Sequence, residues 1–140
     1  MKKRVLLAVT QEEEAKLRAA LQPDYELVTA RVVSEVLDLL QQEQFDAIIA
    51  GVDFDESRMF DLLRTIKADA SLKSVPFVCF RGREPPLTVE LEASVITLAQ
   101  ALGACGYLSS TDFAYTQKAG EELRLAIERC ITRSGEAPGE

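Results

Sequence analysis

Phe45-Asp46-Ala47-Ile48-Ile49-Ala50-Gly51 is the stretch that decides the fold. Its short unbroken apolar run closes on glycine, which suits a strand buried on both faces of a sheet. Downstream, the period changes. From Ser57 to Ala68, Met59, Phe60, Leu62, Leu63 and Ile66 fall on one helical face. A second apolar run, Val75-Pro76-Phe77-Val78-Cys79-Phe80, follows, with its proline tolerable near the start of a strand.

The same alternation extends in both directions. Upstream, Val5 to Val9 is a buried-strand run, followed by a helix over Glu12 to Leu21 that stops at Pro23-Asp24. Tyr25 to Ala30 is a less apolar strand, suited to a sheet edge. Ser34 is the expected N-cap of a helix carrying Val36, Leu37, Leu39 and Leu40. Downstream, a polar segment from Arg81 to Pro86 leads into a long helix from Val89 to Leu102, which Gly103 is placed to end. Ala104 to Leu108 is a short strand, and Thr116 to Ile131 is the last helix. Residues 134–140 read as a polar tail after a domain spanning 1–133.

Strands alternating with helices over short connections predict a parallel sheet covered on both sides. Right-handed crossovers leave few topologies. The leading one is a flavodoxin-like (βα)5 doubly wound α/β sheet in the order 2-1-3-4-5.

Composition narrows the function classes. With 47% hydrophobic and 28% charged residues the chain is globular rather than disordered, and its length suits one core. The net charge of −7 argues against nucleic acid, whose phosphates demand clustered Lys and Arg. With no histidine there is no His-based acid/base catalysis or His metal ligation. The basic start at Met1-Lys2-Lys3-Arg4 is followed by too short an apolar run for a signal peptide, and no run approaches membrane-span length. A cytoplasmic location, away from the membrane, is expected. Cys79, Cys105 and Cys130 lie far apart and show no metal-ligand spacing, so three reduced cysteines are expected.

In such sheets the working crevice lies beyond the carboxyl ends of the strands. The residues there are Thr10 and the acidic run Glu12-Glu13-Glu14, then Gly51, Asp53 and Asp55, then Arg81 and Arg83, then Ser109, Ser110 and Thr111. No glycine-rich phosphate loop, nucleophile elbow or zinc cluster accompanies them.

Several segments together resemble the receiver domains of two-component response regulators. Residues 45–51 with Phe60-Asp61-Leu62-Leu63-Arg64 are similar to the third strand and helix of that family. Asp69 to Val78 resembles its loop into strand 4. Gly103-Ala104-Cys105-Gly106-Tyr107-Leu108 resembles its Gly-Ala-x-x-Tyr-Leu fifth strand. The resemblance covers nearly all of residues 3–131.

The departures fall on the chemistry the resemblance implies. Gly51 stands where receivers carry the phosphoacceptor Asp. Val9-Thr10 or Thr10-Gln11 stands for the Mg²⁺-binding acidic pair, Arg81 for a Ser/Thr, Ser110 for a Lys and Thr111 for a Pro. Transfer to a carboxylate needs the carboxylate and a cation to neutralise developing charge. Asp53 or Asp55 would stand in only from two or four residues along the loop, and both otherwise read as solvated or as caps of the third helix. Arg81 could pair with either, join Arg83 and the Ser109-Ser110-Thr111 hydroxyls around an anion, or be an exposed loop arginine.

The expectation is therefore a degenerate receiver. It would be a phosphorylation-independent signalling and protein-interaction module, with no enzymatic activity, cofactor or metal. The alternative is a sensor of a small anionic metabolite or nucleotide at an Arg81/Ser110 crevice. The Val89–Leu102 helix holds more apolar residues than a one-sided surface helix needs. In receivers the helix 4/strand 5/helix 5 face is the usual dimer or partner surface, which here would include Val95, Leu98, Ala99, Leu102 and Tyr107. The tail leaves no room for an output domain, so any effect is expected to come through association.

Overall fold

The computed structural model describes residues 2–22, 24–81, 88–109 and 117–136. Five strands, β1 (Lys3–Ala8), β2 (Tyr25–Ala30), β3 (Ala47–Gly51), β4 (Phe77–Arg81) and β5 (Gly106–Ser109), form one parallel sheet in the order β2-β1-β3-β4-β5. The expected flavodoxin-like order is the one observed. The helices are α1 (Gln11–Leu21), α2 (Val33–Gln42), α3 (Met59–Ala68), α4 (Val89–Ala101) and α5 (Gln117–Glu136).

The unbroken apolar runs follow from two cores sharing one sheet. Leu6, Ala8, Ile48, Ala50, Phe77 and Cys79 point to one side, where α2, α3 and α4 add Val36, Leu62, Leu63, Ile66 and Ala99. Val5, Leu7, Val9, Ala47, Ile49, Val78 and Phe80 point to the other, against Leu17 and Leu21 of α1 and Leu123 and Ile127 of α5. A period-2 backbone buried on both faces has no polar position to spare. Among the described residues no helix is long and apolar enough to cross a membrane.

Three local expectations are corrected. Ser34 does not cap α2: Val32 is the N-cap residue and makes no side-chain cap bond. Asp55 Oδ2, from the β3–α3 turn, instead accepts from the Val33 N–H at 3.0 Å. Nor is residue 57 helical, since Asp55, Glu56 and Ser57 have φ of 47°, 57° and 67°. Phe54–Ser57 is thus a left-handed turn without glycine, and α3 starts only at Met59. Finally, the cysteines are not all reduced. Cys105 and Cys130 are disulfide-bonded with Cα atoms 5.8 Å apart, and only Cys79 is a free, buried thiol. The partners are 25 residues apart and meet only because α5 lays its buried stripe beside the start of β5.

Candidate functional site

The crevice is built from the β1–α1 junction, the end of β3 and the end of β4. Thr10 caps α1 with a reciprocal box. The Glu13 N–H donates to Thr10 Oγ1, and the Thr10 N–H and hydroxyl donate to Glu13 Oε1, each at 3.2 Å. Glu13 is fully buried. Its carboxylate lies directly over Gly51. A Cβ built on Gly51 would fall 2.2 Å from Glu13 Oε1, 2.9 Å from its Cδ and 3.0 Å from Oε2. Gly51 is required here for close approach, and Glu13 takes the volume in which a side chain at 51 would begin.

The neighbouring acids of α1 have other duties. Glu12 is exposed, and Glu14 binds Arg18, Arg31 and Thr29. Burial pushes the Glu14 carboxyl up, but the two guanidiniums and the Thr29 hydroxyl outweigh it and hold it below its ordinary value. Helix phase alone separates these three adjacent residues: only Glu13, at the third position of α1, turns into the crevice.

Gly51 pairs in register with Phe80, and the Val52 N–H donates to the Phe80 carbonyl at 2.9 Å. This brings the next residues of both strands together. Arg81 Nη1 lies 3.3 Å from Asp53 Oδ2, with the two side chains 10% and 24% exposed. Arg81 is therefore not a loop arginine: it is the last residue of β4 and 8% exposed overall. Of the residues expected in the crevice, Thr10, Gly51, Asp53 and Arg81 line its walls. Asp55 leaves it to hold the N-terminus of α2. Arg83, Ser110 and Thr111 lie outside the described residues, as does the Ser109 side chain.

A divalent cation, which the resemblance to receivers implies, does not fit this donor set. Glu13 Oε1 is engaged by two Thr10 donors, and Asp53 faces a guanidinium. Among the described residues no three acidic or thiol side chains are grouped to hold a metal ion.

Glu13 enters the sequence reading only as one of three adjacent acids; its burial over Gly51 is what that reading missed. The signal was available as Thr10-x-x-Glu13, a capping-box pattern, with a glycine ending the adjacent strand.

On the opposite flank, α4 is poorly buried for its composition. Only Ala99 is buried, at 1% exposure, so Ala99 is a core residue rather than part of an accessible face. Leu98 is exposed, while Val95, Leu102 and Tyr107 are half-buried. Val89 and Leu91 on α4, at 82% and 57%, and Leu125 on α5, at 51%, are strongly exposed. The Tyr107 hydroxyl donates to Glu92 Oε2 at 3.0 Å, and burial together with that carboxylate raises its pKa.

No family model matches the chain. A rice (Oryza sativa subsp. japonica) protein described as two-component response regulator-like PRR1 is 28% identical over 111 residues, covering 76% of this chain. The chain spans only 20% of the length of that relative. Among solved structures, a response regulator receiver domain protein from Clostridium thermocellum superposes with a TM-score of 0.72 at 20% identity, covering 97% of this chain and 99% of its own. The chemotaxis response regulator CheY4 of Vibrio cholerae gives 0.69 at 20% identity, over 91% and 99%. The signal receiver domain of a Syntrophus aciditrophicus histidine kinase gives 0.72 at 16%, over 99% and 96%. The chain has the flavodoxin-like fold of response-regulator receiver domains.

Proposed function

We propose that this domain is a phosphorylation-independent signalling module that binds a protein, and that it is not an enzyme. The observation that carries the reading is the buried Glu13 carboxylate seated in the space a side chain at 51 would need. With the Asp53–Arg81 pair beside it, the crevice holds its own acid and its own cation. A receiver site built this way has no acceptor at position 51 and no free donor set for a metal. It stays in one arrangement rather than switching between two.

The exposed apolar residues of α4 and α5, Val89, Leu91, Leu98 and Leu125, support docking through the α4–β5–α5 face, to a second copy or to another protein. The net charge of −7 supports a partner other than nucleic acid, and we place the domain, over residues 1–133, in the cytoplasm; the segment 134–140, expected as a tail, begins inside α5, which runs to Glu136. The alternative of an anion sensor is disfavoured, because Arg81 is already turned onto Asp53 and a carboxylate occupies the crevice.

Backbone amide exchange with and without beryllofluoride and Mg²⁺ tests the reading. Unchanged exchange at residues 9–14, 51–58 and 78–81 is expected. New protection confined to those segments would overturn it.

A further inference from the structure

The three cysteines divide into one sealed thiol and one bridged pair. Cys79, on β4, is fully buried, and burial pushes its thiol up to about 12, so it stays protonated and inert at neutral pH. Cys105 immediately precedes β5, and Cys130 lies on the buried stripe of α5. The two residues are unequally covered. Cys130 is 5% exposed, and a Cβ on Gly106 would touch its Sγ at 3.9 Å, whereas Cys105 is only half-buried.

The helix does not depend on this bond alone. Leu123 and Ile127 are fully buried against the sheet. On the β1–β2 side, Lys3 Nζ and the Tyr25 hydroxyl donate to Glu128 at 2.5 and 2.7 Å, and Arg124 Nε lies 3.0 Å from Asp24. The disulfide is the covalent tie on the β5 side. Breaking it removes one anchor from a helix that keeps its apolar stripe and its polar ties at the far edge.

We propose that the Cys105–Cys130 disulfide is a dithiol-reversible clamp, whose opening loosens α5 from the β5 edge while the sheet stays folded. A thiolate of a small dithiol attacks the Sγ of Cys105, the less buried residue of the pair; the S–S bond breaks and Cys130 leaves as a thiolate that takes a proton. The second thiol of the reagent then resolves the mixed disulfide. Cys105 is released as a thiol, and the reagent departs as a cyclic disulfide carrying both sulfurs' oxidation. Because β5 and α5 are two of the three elements of the proposed docking face, the thiol state would set its shape. That consequence rests on the function proposed above; the release of α5 does not.

Native alkylation and amide exchange of the full chain, with and without dithiothreitol, test the clamp, with C105S/C130S as the permanently open form. Two additional alkylated thiols per chain are expected after reduction. Exchange over residues 121–132 should rise about tenfold or more, with 3–8 and 47–51 still protected. The C105S/C130S chain should match the reduced protein and ignore dithiothreitol. Unchanged exchange in α5 despite two alkylated thiols would overturn the proposal, as would loss of protection throughout the sheet. Size-exclusion of the two states separates the claims: α5 released with no change in association contradicts the reading of the docking face and leaves the clamp standing.

Discussion

Replacing Gly51 with aspartate (G51D) restores in name the residue that receivers carry at this position, and the structure argues that it will damage the domain. The new Cβ would begin 2.2 Å from Glu13 Oε1, so the Glu13 carboxylate must leave its place. Doing so breaks its bonds from the Thr10 N–H and hydroxyl, a loss of about 1 kcal/mol for a helix cap. Overpacking a closed site adds roughly 1–3 kcal/mol, and a second carboxylate beside a fully buried one adds like-charge repulsion. A destabilisation of about 2–5 kcal/mol is expected, read from urea unfolding at constant m-value. E13A alone should cost about 1–2 kcal/mol through the lost cap. Combined as G51D/E13A, the two changes relieve each other, so the double variant should be more stable than their sum by at least about 1 kcal/mol. Strict additivity, or a G51D chain as stable as the parent, would refute the idea that Glu13 and position 51 compete for one volume.

Other expectations follow from the same geometry. R81M leaves Asp53 without its cation in a largely buried position and should destabilise by about 2 kcal/mol, while R81M/D53N recovers most of the loss; equal damage in both would remove the ion pair as cause. E56G should stabilise by about 0.5–1 kcal/mol, because Glu56 is exposed at φ 57° where glycine has no Cβ penalty; destabilisation would contradict the left-handed turn. The Lys3 ammonium and the Tyr25 hydroxyl, against the opposing effect of burial, hold the Glu128 carboxyl below its ordinary value. Its contribution is thus complete above the usual glutamate range and disappears as pH falls through the lowered folded value. With both ion-pair side chains about two-fifths exposed, E128Q should flatten the acid limb of the stability curve by under about 1 kcal/mol. An unchanged acid limb in unfolding from pH 3 to 7 would remove Glu128 from the account.

The sheet order was legible because both-face burial writes itself as unbroken apolar runs, and Phe45 to Ala50 has only one economical reading. The departures at Gly51 and Arg81 were legible as well, since each sits at the end of a strand. What they meant was not. Glu12, Glu13 and Glu14 are chemically alike in sequence, and only the phase of α1 sends Glu13 inward, Glu12 to solvent and Glu14 to Arg18 and Arg31. Arg81 read as one of several loop possibilities because the extent of β4, set by its pairing with β3 and β5, is a tertiary property. The left-handed turn carries no glycine to announce it, and its Asp55 finds a partner in α2 rather than in the helix that follows. The disulfide was hidden for a similar reason: its cysteines become neighbours only once α5 crosses back over the sheet.

The intact mass of the chain after incubation with acetyl phosphate and Mg²⁺ tests the central claim most directly. The account predicts no added phosphate, because Gly51 has no nucleophile, Glu13 is sealed over it and Asp53 is held by Arg81. A one-phosphate increase that disappears in D53N or D55N would show that the acceptor has moved along the loop, and would contradict the account.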